Sequence, residues 1–397
     1  MKFNKWTVGL AAVGVVSLAS AARADEQMSQ VQTALSQTTL SGYVDTAATW
    51  RPGTDQNPAS FGPNMPAYAF AKNDGFSLNA VDIALDRPMD ESPWAAGYHI
   101  ELMLGPDAVG IGTGDIFSGA TVGGIRSAYL ALRTPVGNSG IDWKVGVWDS
   151  ILGYENTSSP LDPNYTRSYG YTILPRNFTG VLATYKVNDM ISVQAGVADS
   201  SSGAIGGGAV TTGIESQKAY MGQVTFTAPD SFGAMKGATV NAGVIDSAGV
   251  GGGFPGAGYT IFHADMTVPT PLTALKFGAV FDYDDIHNGG IGANSGNDSV
   301  WVVGAYGNYQ VNDKLSFNLR GEYADASQLG GYAGVYSKNA AEEITATAQY
   351  NLWANVISRL EFRWDHVEHG TPFGANAAGL PFRANDFLIA ANLIYQF

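Results

Sequence analysis

Between Val356 and His366 the chain reads VISRLEFRWDH, so that Leu360, Phe362 and Trp364 alternate with Arg359, Glu361, Arg363 and Asp365. Side chains on a strand point to opposite faces with a period of two, and this stretch therefore predicts a ribbon with one apolar and one charged face. The split recurs in KLSFNLRGEYA, where Leu315, Phe317, Leu319 and Tyr323 oppose Ser316, Asn318, Arg320 and Glu322. In EITATAQYNLW, Ile344, Ala346, Ala348, Tyr350 and Leu352 oppose Glu343, Thr345, Thr347, Gln349 and Asn351. The same reading predicts sixteen strands, from LSGYVDTAATW at Leu40 to DFLIAANLIYQF at Asp386.

A soluble sandwich alternates as well; the connections separate the two folds. After each even strand comes a tight link, such as DRPMDESP, TPVGNSG, VNDM at Val187, VNDK at Val311 and AN at Ala354. After each odd strand comes a long Gly-, Asn- and Pro-rich stretch, such as 51–74, 105–123, 150–175, 200–215 and 367–382. Each strand has about the 9 to 11 residues that a tilted membrane strand needs. Short turns alternating with long loops, over an even strand count, predict an all-β fold: a transmembrane antiparallel up-and-down β-barrel of about 16 strands, short turns periplasmic and long loops extracellular. No apolar run of helical span length competes with it downstream of the leader.

The chain starts with Lys2 and Lys5, an apolar WTVGLAAVGVVSLASA and a small-residue ARA at Ala22–Ala24. That is the pattern of a signal peptide over 1–24, with export through a first membrane. Residues 25–37 place Met28, Val31 and Leu35 on one helical stripe, which fits a short segment in the periplasm or in the lumen. The barrel takes 38–397.

Composition narrows the function. There is no cysteine, which removes disulfides, zinc–thiolate sites and a thiol nucleophile. The formal charge of −14 repels nucleic acid and favours cations. GIGTG at Gly110 lacks the strand and helix of a nucleotide fingerprint, no Gly-x-Ser-x-Gly elbow occurs, and His366 and His369 lack a helix to align them as ligands. The expectation is a non-enzyme without cofactor or metal.

Parity then sorts the charges. Asp45, Glu101, Lys144, Lys186, Asp282, Arg320, Glu322, Arg359, Glu361 and Arg363 fall opposite the apolar rows. An Arg or Lys at the lipid midplane costs about 2 to 4 kcal/mol, so these are pore-lining candidates. Trp50, Trp94, Tyr129, Tyr185, Tyr309, Tyr350 and Trp353 lie near strand ends and are expected in the interfacial girdle. In the last strand Phe387, Ile389, Ala391, Leu393, Tyr395 and Phe397 form the lipid row, and the opposite row of Leu388, Ala390, Asn392, Ile394 and Gln396 is more apolar than a wet lumen requires.

The terminal aromatics Tyr395 and Phe397 resemble the assembly signal of outer-membrane porins, which implies recognition by the barrel insertion machinery. A more specific resemblance spans Val145–Asp189: Gly146, Trp148 and Asp149, then Gly153–Glu155, Asn164–Tyr169 and Pro175–Gly180. This segment resembles outer-membrane porins of the OmpL-like type. The resemblance implies a loop after the fifth strand that folds inward and narrows the pore, with Asp149, Glu155, Asp162, Arg167 and Arg176 as constriction candidates. A solvated external loop fits the same residues.

The function expected is a passive outer-membrane channel for small hydrophilic solutes and ions, with a cation preference. Its partners would be lipid and lipopolysaccharide, the insertion machinery, the solutes themselves and further copies in a homo-trimer. A surface-exposed structural or adhesive barrel with an occluded pore is the alternative.

Overall fold

The structure, a computed structural model, describes residues 38–52, 74–111, 114–115, 123–199, 218–248, 258–287, 298–326, 339–371, 373 and 383–397. The leader and the 25–37 segment lie outside them. Sixteen strands build the wall: Thr39–Trp50 (β1), Gly75–Arg87 (β2), Ala95–Leu104 (β3), Gly123–Thr134 (β4), Ile141–Asp149 (β5), Asn177–Lys186 (β6), Ile191–Ala198 (β7) and Ala219–Thr227 (β8). Thr239–Ala248 (β9), Gly258–Pro269 (β10), Leu275–His287 (β11), Asp298–Gln310 (β12), Leu315–Ala326 (β13), Asn339–Trp353 (β14), Val356–Val367 (β15) and Asn385–Gln396 (β16) complete it. Each pairs antiparallel with its neighbour in sequence, and β16 returns to β1. Closure leaves no unpaired edge, which the hydrocarbon core would penalise at every peptide group.

The final residue helps to close the cylinder. Phe397 N–H donates to the Gly42 carbonyl at 3.0 Å, and Gly42 N–H donates to the Phe397 carbonyl at 3.1 Å. The short turns are as local as their sequences. In both VND turns an Asn side chain stands in for backbone: Asn188 Oδ1 accepts from Met190 and Ile191 N–H, and Asn312 Oδ1 from Lys314 and Leu315 N–H. These are Asx turns, formed because a short carboxamide reaches the backbone two residues on. Asn355, in the two-residue link, takes φ 64°, a left-handed conformation that Asn tolerates.

Parity holds around the wall. Phe317, Leu319, Ile344, Leu360, Phe362 and Leu393 are exposed to the outside, whereas Arg320, Glu322, Glu343, Arg359, Glu361 and Arg363 are buried inside. Tyr129 departs from the expected girdle. It faces inward and stacks on His99, because Leu130 and Leu132 take the outer face of β4.

Three register slips also interrupt the alternation, one of them between β14 and β15, where Leu352 is the extra residue beside the turn. Between β1 and β2 the register slips at Asp45/Thr46 and leaves Asn79 as the extra residue; between β3 and β4 it slips at Glu101/Leu102 and leaves Arg126. A bulge re-aims its side chain. Asn79 thereby reaches Asp45 at 2.8 Å, and Arg126 reaches Glu101.

The interior is not uniformly polar. Phe178, Leu182, Met221, Ile245, Ile261 and Val302 form an apolar cluster inside the wall, joined by Leu152, Tyr169, Ile173 and Leu174 from the loop after β5. The apolar inward row of β16 has its own neighbours: Ile394 packs with Tyr43, Ala80, Met103 and Ala108.

Candidate functional site: a loop clamped inside the barrel

Residues 150–176 leave β5 and return to β6 through a neck in which Ser150 N–H donates to the Arg176 carbonyl at 2.7 Å. Local bonds then shape the excursion. Asn156 N–H donates to Asp162 Oδ1, a 3-10 turn follows at Ser159–Leu161, and Ser168 Oγ caps the short helix Tyr169–Ile173 by accepting from Tyr171 N–H at 2.9 Å.

A loop inside a barrel has no ladder to satisfy its peptide groups, and buried N–H and C=O must still be paired. The wall supplies those partners. Glu361 accepts from Tyr165 N–H at 2.5 Å, Thr166 N–H at 2.9 Å and Thr166 Oγ1 at 2.7 Å. Glu322 accepts from Tyr169 N–H at 2.6 Å and Gly170 N–H at 3.1 Å. Guanidinium groups take the carbonyls: Arg320 donates to Thr166, Arg363 to Arg167, and Arg359 to Ser159 and Asp162. Asn318 donates to the Pro163 carbonyl and Asn164 to Thr347 Oγ1. Charged partners make such bonds about twice as strong as neutral ones.

The charges are themselves balanced. Arg320 pairs with Glu155 at 2.7 Å and Glu343 at 2.7 Å, and Arg363 pairs with Asp365 at 2.8 Å. Tyr169 Oη closes the net by donating to Asp365 at 2.7 Å. Buried ions persist only when paired in this way. Burial pushes the Asp162 carboxyl up to about 7, against the pull of Arg167 at 3.0 Å.

Shape completes the fit. Inward glycines make sockets: a Cβ at Gly278 would collide with Tyr154 Oη, one at Gly243 would lie 2.5 Å from Leu152, and one at Gly170 2.6 Å from Asp282 Oδ2. Asp282 is fixed by His263, whose Nδ1 lies 2.6 Å from it while Nε2 lies 2.8 Å from Asp265.

Across the interior, β2–β5 carry a different set. Arg126 forks onto Asp149 at 2.7 and 2.8 Å and also bonds Glu101. His99 joins Glu101 at 3.2 Å and Asp86 at 3.7 Å. Tyr129 lies between His99, with ring centroids 5.1 Å apart, and the Lys144 ammonium, 4.6 Å from its ring.

The predicted residues therefore fall into separate groups. Arg320, Glu322, Arg359, Glu361 and Arg363 come together with Glu155 and Asp162 as the clamp. Asp282 touches the loop at Gly170. Asp45 sits with Asn79 and Asn392. Glu101, Lys144 and Asp149 belong to the opposite wall. Lys186 sits at the exposed periplasmic end of β6, paired with Asp189 in the turn. Arg167 and Arg176 both stack on Tyr171.

Sequence reasoning misses Arg126 and Asn79, which simple alternation turns outward. It also passes over His263, whose place between two aspartates is visible as inward parity in YTIFHADMTV.

The family model described as "Putative beta-barrel porin-2, OmpL-like" matches residues 37–397. Among solved structures, the anion-selective porin from Comamonas acidovorans superposes with a TM-score of 0.59 at 11% identity, covering 91% of this chain and 99% of that one. Salmonella typhi OmpF, in complex with daunomycin, gives 0.58 at 13%, covering 91% and 97%. The trimer form of in-vitro folded OmpT from Vibrio cholerae gives 0.56 at 14%, covering 91% and 99%. At these identities the likeness is one of fold. No curated protein matches the sequence.

Proposed function

The chain belongs to the OmpL-like β-barrel porin family and is an outer-membrane channel protein; from that premise we propose a passive diffusion pore for small hydrophilic solutes and ions. One observation carries the reading. The loop 150–176 is bonded to the inner face of β12–β15 and packs its apolar residues on β6 and β8–β10, which leaves the β3–β5 side, with its partly exposed Lys144 and Asp149, as the wall of the passage.

In this reading Asp149, Glu155, Asp162, Arg167 and Arg176 bound the constriction, and Asp45, Glu101, Lys144, Lys186 and Asp282 set the field along the wall. The arginines of β13 and β15 contribute little of their charge, because they are spent on loop carbonyls and neighbouring carboxylates. The chain's −14 then favours cations. Sixteen strands enclose an aqueous lumen wherever nothing fills it. Residues 1–24 act as a cleaved signal peptide, tested by amino-terminal sequencing of the mature protein, which starts at Asp25. Three copies assemble, as in the trimer form of the Vibrio relative; the mass of the detergent-solubilised protein tests this.

Single-channel recording in a planar bilayer tests the pore. Stepwise openings with a cation-preferring reversal potential are expected. A silent barrel supports the second reading, a surface protein with an occluded pore, which the apolar cluster around Phe178, Ile245 and Ile173 favours.

A further inference from the structure

On the inward rows of β2–β6 the cations are Arg126, Arg133, Lys144 and Lys186. Arg126 is held by Glu101 and Asp149, Arg133 by Asp142 at 2.6 Å, and Lys186 by Asp189 at 2.7 Å. Lys144 differs. Among the described residues no carboxylate forms an ion pair with it; its ammonium rests over the Tyr129 ring and it is only partly buried. A ring face attracts a cation without satisfying its three N–H donors. Tyr129 is in turn backed by His99, so the platform is built from three adjacent strands and is not a lone side chain.

We infer that Lys144 on its Tyr129–His99 platform is a binding subsite for a solute monocarboxylate midway along the pore. The inference rests on the porin reading and names the solute chemistry that reading leaves open. A carboxylate would accept the unused ammonium donors, and a charge-assisted bond of that kind is strong enough to order a solute yet exposed enough to release it. Asp86, 3.7 Å from His99, and the half-exposed Asp149, on the same strand as Lys144, put negative charge beside the platform. Their repulsion disfavours a dianion such as phosphate and leaves a single negative charge as the best fit. A net-negative chain thus keeps a cation preference for small ions while offering one anionic group a place to pause.

The test is reversal potential in gradients of potassium acetate and potassium phosphate, on the full-length protein in planar bilayers. Wild type should pass acetate, Lys144→Gln should lower acetate permeability relative to potassium at least threefold, and Lys144→Arg should restore it. Tyr129→Leu, which keeps the charge and removes the platform, should give an intermediate loss. Unchanged acetate permeability in Lys144→Gln channels of normal conductance would overturn the subsite, and a loss confined to phosphate would overturn the monocarboxylate assignment. Absence of any wild-type openings would instead remove the porin reading itself.

Discussion

The two inner walls of this barrel use the same residue types for different ends. On β12–β15, Arg320, Glu322, Arg359, Glu361 and Arg363 are buried and every one bonds the loop. On β3–β5, Arg126 is also buried, but its partner Asp149 keeps 43% of its side chain exposed, and Lys144 has no ionic partner among the described residues. A charged inward residue is therefore not by itself a filter residue. On one wall charge is a fastener for backbone; on the other part of it, at Lys144 and Asp149, stays exposed within the barrel.

Breaking the fastener should have the largest effect. Glu361→Ala strands the Tyr165 and Thr166 N–H groups and removes a counter-charge that acts on Arg359, a loss of roughly 3 to 5 kcal/mol when one side of a buried charged pair is deleted. The expected result is a lower unfolding temperature in detergent together with a conductance at least doubled, because the loop leaves the lumen. Gly170→Val attacks the same contact by shape. With Asp282 only 2.6 Å from the new Cβ position and pinned by His263, overpacking should cost about 1 to 3 kcal/mol and raise conductance by a smaller factor.

Substitutions on the opposite wall should invert that profile. Asp149→Asn removes a half-exposed carboxylate and leaves Arg126 its second partner, Glu101, so the unfolding temperature should fall far less than in Glu361→Ala while the reversal potential moves toward anions. A matching fall in stability would show that this wall, too, serves as a fastener.

The smallest effect comes from pH. Burial holds the Asp162 carboxyl up at about 7. It takes up a proton as pH falls through that value, and the folded barrel gains stability from this group over the descent, the reverse of an ordinary ion-paired aspartate. Cation preference should drop slightly as pH falls through about 7, and Asp162→Asn should abolish that step.

How much of this is legible in the sequence follows from the same contrast. Alternation locates all sixteen strands because lipid enforces a strict apolar outer row, and it places Arg320, Glu361 and Arg363 inward on parity alone. Arg126 escapes it because a one-residue bulge reverses parity locally and leaves no mark in IRSAYLALR. Tyr129 reads as a girdle residue because a strand-end aromatic looks alike from either face. The role of the arginines stays hidden for a different reason: Glu361 meets Tyr165 196 positions away in the chain, and no local spacing encodes that encounter. The apolar inward residues Leu388 and Ile394 are a local hint, beside the resemblance of Val145–Asp189, that something fills part of the lumen.

The central claim is that residues 150–176 lie inside the cylinder against β13–β15. Because the chain has no cysteine of its own, Asn164→Cys with Thr347→Cys reports on it directly, the two native side chains being 2.7 Å apart. In intact outer membranes the pair should join through a short bifunctional thiol cross-linker and leave conductance close to wild type. Failure to cross-link, with the thiol introduced at position 164 freely labelled by an impermeant maleimide from the cell exterior, would place the loop outside and contradict the account.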